Sequence, residues 1–349
     1  MSLLLNWQRM RRNPVNADRW MQFKNNKRGY WSLWIFSILF LLSLIGELWI
    51  NDKPIMVSYQ QNWYFPIVED ITEDRLGGDF DIVTDYRDPY MVKQIEKEGW
   101  IIWPLVPFYY DSINFELTES APSPPNHINY LGTDDQGRDL LARLVYGFRI
   151  SVLFALTLTL VSSVIGIIIG AIQGYYGGKI DLFGQRILEI WEGLPMLFML
   201  IILASFVEPT FSWLLGLMIL FSWPSLVSVV RAEFLRGRHL EYVKAANALG
   251  VKDSKIMFKH ILPNAMIATL TFMPYLFTGA LTTLTSLDFL GFGLPLGSAS
   301  LGEMVAQGKD NLHAPWLAIT AFISLSTILV LLVFIGEATR DAFDPRKNP

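Results

Sequence analysis

Six stretches of about 20 predominantly apolar residues divide this chain, at positions 30–50, 151–171, 190–207, 211–230, 265–287 and 316–335. That length lets an α-helix cross the hydrocarbon core of a bilayer, and in lipid a helix satisfies every backbone N–H and C=O within itself. The sequence therefore predicts an all-α integral membrane protein with six transmembrane helices. A hydrophobic content of 52% and a mean hydropathy of +0.34 agree with that reading. The third stretch is the weakest, interrupted near its start by Glu192 and Pro195. The first follows a basic arm, is longer than the apolar part of a signal peptide and has no small-residue cleavage site behind it, so it is expected to remain as a span.

Charge then orients the chain. The arm, residues 1–29, carries Arg9, Arg11, Arg12, Arg19, Lys24, Lys27 and Arg28 against Asp18, which the positive-inside rule places in the cytoplasm. No apolar run follows Arg11 and Arg12 directly, so the pair reads as topology charges. Six spans return the tail, residues 338–349, to the same side. The short loops assigned inside hold 19 Lys and Arg, whereas the short outside loops hold only Lys309. Tyr30, Trp31 and Trp34 at one edge of the first stretch and Trp49 at the other fit an aromatic belt. Residues 51–150 form a long outside segment with 17 acidic against 8 basic residues. Aromatic residues such as Trp63, Tyr86, Trp100 and Tyr109 recur through it, so it is expected to be a folded insert with a modest core. A Pro-rich run at 120–125 marks its end, and with no cysteine in the chain it folds without disulfides. The residues leave open whether this insert meets an external binding protein or simply packs.

Between the fourth and fifth stretches lies a polar loop, residues 231–264. Positions 241–249 are rich in strong helix formers and stop at Gly250, which can end a helix in a left-handed turn. Asp253 is a good N-cap for a second piece running to Pro263, where the next helix would start. A helix of about nine residues is marginal alone, so this one is expected to dock on a partner outside the chain. On the residues alone, a plain helical hairpin is the alternative. The spacing of Ala245, Ala246, Gly250, Leu262 and Pro263 resembles the EAA loop of ABC import permeases, with Lys244 where that pattern begins with Glu. The run His260 to Asn264 is similar to the oligopeptide and dipeptide branch.

A second resemblance spans 130–156. Thr133 and Gln136 fit a capping box, and Leu140, Leu141, Leu144 and Phe148 follow at helical spacing with Arg138, Arg143 and Arg149 beside them. That pattern predicts an interfacial amphipathic helix feeding the second span. It resembles the LGTDxxGRDxxSRxxYGxRxSL signature of peptide and nickel permeases, with Ala142 where the pattern has Ser. Residues 286–308 and 336–346 resemble the outer loop and C-terminal tail of the same branch. The enlarged insert, with Trp20 and the GYWSLWIF start of the first span, resembles Yej-type permeases of microcin C and oligopeptide import.

The resemblance implies a type I ABC importer permease fold with a core over 151–337, sited in a bacterial inner membrane. It implies a pore subunit and not an enzyme, with Glu241, Lys244, Ala245, Ala246, Leu249 and Gly250 as the ATPase-coupling interface. It further implies a homologous second permease, two nucleotide-binding domains that hold the ATP and Mg, and a periplasmic substrate-binding protein. Membrane lipid surrounds such a chain, and no nucleic acid is expected. The implied cargo is an oligopeptide or a microcin C-like compound, with nickel or another small ligand as the alternative.

The apolar stretches carry their own signals. Ser162, Gly166, Gly170 and Gly174 form a small-xxx-small row suited to close helix packing, within this chain or against a second permease. Pro195, Pro224 and Pro274 interrupt three spans and are candidate kinks along a pathway, or simple kinks at packed sites. No Asp, Glu or His lies at a span centre; Glu47, Glu192 and Glu208 fall near span ends. That argues against an ion-coupled secondary transporter, which usually carries an ionisable group in mid-membrane. His127, His239, His260 and His313 share no metal-ligand spacing. The stretch 173–180 lacks the first Gly and the Ser or Thr of a phosphate-binding loop, so no ATP site is expected in the chain. A receptor that senses through the insert is a further reading, though it has little need of six spans.

Overall fold

The computed structural model describes residues 14–117, 119–207, 210–295 and 297–343. Arg9, Arg11 and Arg12 of the arm, Glu208, and positions 344–346 of the tail lie outside them. Two helices open the chain, α1 (Pro14–Asn25) and α2 (Lys27–Leu44). Asn26 between them caps α2 by accepting from Gly29 N–H at 3.2 Å. The first turn of α2 is spent on Lys27, Arg28, Gly29 and Tyr30, so its uninterrupted apolar part is short.

The segment that follows departs from an all-α expectation. Strands β1 (Met56–Tyr59), β2 (Asn62–Tyr64) and β3 (Gly99–Ile102) form an antiparallel sheet in the order β2-β1-β3, backed by helix α3 (Pro89–Glu98). A two-residue turn at Gln60 and Gln61, both with positive φ (48° and 67°), joins β1 to β2. Asp88 caps α3, and Pro89 fills its first position, where the missing N–H costs nothing. Met91 and Ile95 on α3 bury against Val57, Tyr59, Ile71, Leu76 and Tyr86, giving this segment its own small core.

Helix α4 (Leu140–Tyr176) is 37 residues long, about 55 Å at 1.5 Å per residue. No separate interfacial helix precedes it, which corrects the sequence expectation. Asp139 is its cap, accepting from Ala142 N–H at 2.8 Å, while the Thr133 hydroxyl accepts from Ser123 N–H instead of capping a helix. The apolar periodicity simply continues from Leu140 through the span, so nothing breaks the helix between them. At its far end Gly177 and Gly178, with φ of 63° and 54°, turn the chain into α5 (Gly178–Glu192).

Beyond a break at Gly193 to Pro195 comes α6 (Met196–Ala204), then α7 (Phe211–Ser222) and α8 (Pro224–Gly237). The polar loop supplies α9 (Glu241–Ala248) and α10 (Asp253–Ile256), and a single π-helical turn (Met257–Ile261) leads into α11 (Leu262–Phe289). Helices α12 (Leu301–Asp310) and α13 (Pro315–Phe343) close the described chain. Among the described residues, four helical paths are long and apolar enough to cross a membrane: Leu140–Tyr176, Phe211–Gly237, Asp253–Phe289 and Pro315–Phe343. The expected third span is split instead, because Pro195 cannot donate within a helix, and α6 with nine residues is too short to cross alone.

Helices α4, α7, α11, α12 and α13 share one apolar interior containing Phe154, Leu158, Met218, Leu284, Met304 and Leu317. A second cluster joins α8 to the polar loop through Phe234, Val243, Ile256 and Ile261.

Candidate functional site

Three features stand out from the packing. The first is the polar loop. Val243 and Ala246 face inward, whereas Glu241, Lys244, Ala245, Leu249 and Gly250 face outward. Gly250 adopts φ +73°, and its N–H bonds Asn247 C=O at 2.9 Å while Val251 N–H reaches Ala246 C=O at 3.1 Å. These are the two bonds of a Schellman motif, and an L side chain at the left-handed position would be strained. Leu249 is 83% exposed and Phe258 66% exposed, two large apolar side chains left uncovered by the described residues. Asp253 is not the cap of α10: Lys252 holds that position without a side-chain bond, and the Asp253 carboxylate accepts from Tyr175 O–H at 2.8 Å. Nor does a new helix begin at Pro263. The π turn leaves room for a residue without N–H, so α10 and α11 are one continuous path, to which Tyr242 O–H ties α9 by donating to His260 C=O at 3.2 Å.

The second feature is a cavity of about 210 Å³ between α4, α7, α8 and α11. Its wall includes Met196, Ser222, Ser225 and Tyr275, so Pro195, Pro224 and Pro274 each stand within two residues of a lining side chain, although only Pro195 breaks a helical path: Pro224 opens α8 and Pro274 lies inside the unbroken α11. No charged side chain lines it. Thr159, Ser162 and Ser163 on α4 do, and their buried hydroxyls have no hydrogen-bond partner. Leaving a buried hydroxyl unpaired costs about 1–3 kcal/mol. The remainder of the small-residue row is used inside the chain. A Cβ on Gly166, Gly170 or Gly174 would stand 2.9, 2.7 or 2.6 Å from the backbone oxygens of Trp223, Val227 or Arg231, so α4 and α8 are in backbone contact.

The third feature was not anticipated as a site. Arg138 and Arg143, read from sequence as flanking charges of a surface helix, are buried. Arg138 Nε bonds Asp134 at 2.7 Å, and Glu303 on α12 bridges Arg138 (3.2 Å) and Arg143 (2.9 Å). Arg143 also donates to Ser298 C=O at 3.1 Å, and Gln307 Nε2 donates to Asp135 at 2.9 Å. Asn129 donates to Asp139 at 2.9 Å, although burial still pushes the Asp139 carboxyl above the ordinary aspartate value. The network clamps the 129–143 segment onto α12. Glu47, expected near a span end, pairs with Arg149 at 2.6 Å. Among the described residues no group of three or more His, Asp or Glu could hold a metal ion.

Residues 144–349 match the family model described as "Binding-protein-dependent transport system inner membrane component". The "Inner membrane ABC transporter permease protein YejE" of Escherichia coli (strain K12) is 58% identical over 337 residues, covering 97% of this chain and 99% of that protein. The "Peptidoglycan transport system permease protein YejE" of Agrobacterium fabrum is 52% identical, covering 96% and 94%. An "Oligopeptide transport system permease protein OppC" of Lactococcus lactis is 33% identical over 68% of this chain and 82% of its own length. The chain therefore belongs to the family of inner membrane components of binding-protein-dependent transport systems, as an ABC permease of the oligopeptide and dipeptide branch.

Proposed function

We propose that this chain is the pore subunit of an importer that moves oligopeptides or peptide-like compounds, microcin C and peptidoglycan-derived peptides included, into the cytoplasm on energy from ATP hydrolysed by partner subunits. The Yej-type and oligopeptide permease names of its relatives support that cargo class. In this reading six helical passes cross the inner membrane, with α2 and the pass over 190–207, built from the end of α5 and α6, adding two to the four long apolar paths. The arm and the tail face the cytoplasm, and the sheet-containing insert, residues 51–150, stands on the periplasmic side. The domain plan is then arm, first span, periplasmic insert, core over 151–337 and tail.

The observation that carries the reading is the polar loop. A short helix ending in a left-handed glycine, with Leu249 and Phe258 bare and no partner among the described residues, has the shape of a surface that another protein would cover. Glu241, Lys244, Ala245, Leu249 and Gly250 meet a cleft of the ATPase, and Ala246 holds the helix to the permease. Two such ATPase domains, a homologous second permease and a periplasmic binding protein complete the complex. When the ATPase subunits close on ATP, α9 moves with them, and the continuous α10–α11 path passes the motion into the membrane.

The test is uptake of a labelled oligopeptide into cells lacking this chain, with and without its restoration, at normal and depleted ATP. Uptake should need both. Uptake that persists without the chain overturns the cargo assignment and returns nickel or another small ligand to consideration.

A further inference from the structure

We infer that the cavity between α4, α7, α8 and α11 is a subsite for peptide main chain, in which Thr159, Ser162 and Ser163 pair with the N–H and C=O groups of a passing peptide whatever its side chains. The inference rests on the peptide reading above and names how that cargo is held.

Four observations carry it. Thr159, Ser162 and Ser163 fall at i, i+3 and i+4, on one face of α4, and are 94%, 93% and 98% buried. A hydroxyl on a membrane helix ordinarily bonds the carbonyl four residues back. In this chain Thr157, Thr278 and Thr285 do so, at 2.8, 2.9 and 2.9 Å. The three cavity residues do not, and among the described residues no other group takes their place. Unpaired buried polar groups in a native structure call for an explanation, and a ligand absent from the chain supplies one.

The chemistry of the wall narrows the ligand. With no charged side chain present, the cavity cannot select a cargo by charge. Ser222, Ser225 and Thr283 add hydroxyls from the facing helices. A hydroxyl both donates and accepts, so a wall of them matches the alternating N–H and C=O of an extended peptide in either direction and at any register. Its volume of about 210 Å³ is below the roughly 300–1,000 Å³ of an ordinary small-molecule pocket, which suits a short length of chain in transit and not a whole oligopeptide. Ser225, Gly279 and Tyr275 leave its rim exposed, so the cavity has an opening. The hydroxyl oxygens are closed off in this conformation. A χ1 rotation redirects each of them, so binding needs no rebuilding of α4.

The experiment uses the whole importer in cells, with labelled trialanine, a labelled tripeptide of mixed charge, and trialanine N-methylated at its central amide. The variant combines Thr159→Val, Ser162→Ala and Ser163→Ala, which removes the hydroxyls without adding volume. Uptake of both ordinary tripeptides should fall by a similar factor, about three- to tenfold, with membrane abundance unchanged. N-methylation should slow uptake by the unaltered importer and cause no further loss in the variant. A partial variant that keeps one hydroxyl through Thr159→Ser should recover part of the rate. Equal uptake by variant and unaltered importer overturns the subsite, as does a loss that tracks the peptide's side chains, while the peptide reading stands. If the unaltered importer takes up no tripeptide at all, both fall together.

Discussion

Ala245 and Ala246 are neighbours in sequence and face opposite ways. Ala245 is exposed on α9, whereas Ala246 is 8% exposed against Phe234 and Ile256. Ala245→Glu should therefore leave the chain at normal abundance and cut peptide uptake about tenfold or more, because it spoils only the face proposed to meet the ATPase. Ala246→Glu buries an unpaired carboxylate, which costs several kcal/mol, and should lower abundance before uptake is reached. Quantifying membrane abundance and uptake in parallel separates the two; equal behaviour would mean that α9 does not sit as described. Glu303 invites a second substitution. It is the shared anion for Arg138 and Arg143, so Glu303→Gln keeps the shape while leaving two buried cations with Asp134 alone. Removing one partner of a buried ion pair costs about 3–5 kcal/mol, and partial exposure of Glu303 puts the expectation at the low end. A lowered thermal midpoint of the purified complex checks it. At this scale the sequence was legible where the signal was local: Gly250 as a left-handed helix end needed only its neighbours. Arg138 and Arg143 were misread because their partner lies on α12, more than 150 positions away, and no local pattern marks it.

Helix α4 shows what an element's surface can and cannot reveal. Its small-residue row was plain in the sequence, but which helix it met was not, since any close neighbour would serve. The partner is α8, and Gly170→Leu would drive a side chain into the backbone oxygen of Val227. Overpacking of that kind costs about 1–3 kcal/mol and should lower complex abundance, whereas Gly216→Ala, at a position with nothing within 4 Å, should be silent. Quantitative blotting of membranes decides between them. The neighbouring helix α5 is held to α8 by Asp181 and Arg231, whose Nη2 lies 2.7 Å from the carboxylate. The Arg231 hydrogen bond keeps the Asp181 carboxyl below its ordinary value. A depressed carboxylate lends stability that is fully present above the unfolded value, near 3.9, and lost as pH falls through the folded one. Hydrogen exchange in α5 should therefore be flat from pH 5 to 8, once corrected for intrinsic rates, and accelerate only below about pH 4; Asp181→Asn should remove that acid step. Other elements gave less away. The β1–β2 hairpin turns on Gln60 and Gln61, both with positive φ, where Asn-Gly or Asp-Gly would have announced it. The long apolar runs were legible because burial in lipid demands continuity, but continuity also hid the boundary expected near residue 150, where α4 has none.

At the scale of the whole molecule, one helical path joins the face proposed to dock on the ATPase to the cavity between α4, α7, α8 and α11. From Asp253 the chain runs through α10, the π turn and α11 to Phe289, and Tyr275 on that path lines the cavity. Tyr242 and Asn264 fasten α9 to the same path, through bonds of 3.2 and 3.1 Å around the Tyr242 hydroxyl. A push on α9 therefore has a stiff route inward, and its direction depends on the rotational register set by the π turn. One residue in an α-helix is worth about 100° of rotation, and the π turn already takes up one residue more than an α turn, so inserting an alanine after Lys259 would turn α10 and α9 about the axis of α11. Lys259 is exposed, so the inserted residue enters at the surface and adds nothing to the core. The expected result is uncoupling: the complex still assembles and hydrolyses ATP, yet peptide transported per ATP falls at least fivefold, because the docking face no longer moves α11 along its working direction. Gly250→Ala should act more weakly, since it strains one left-handed residue by about 1 kcal/mol without turning the lever. Measuring uptake and ATP hydrolysis together in proteoliposomes distinguishes these. An insertion variant with normal peptide-to-ATP ratio would show that force enters the membrane by another helix, with α8, which packs on the same loop through Phe234, as the next path to test.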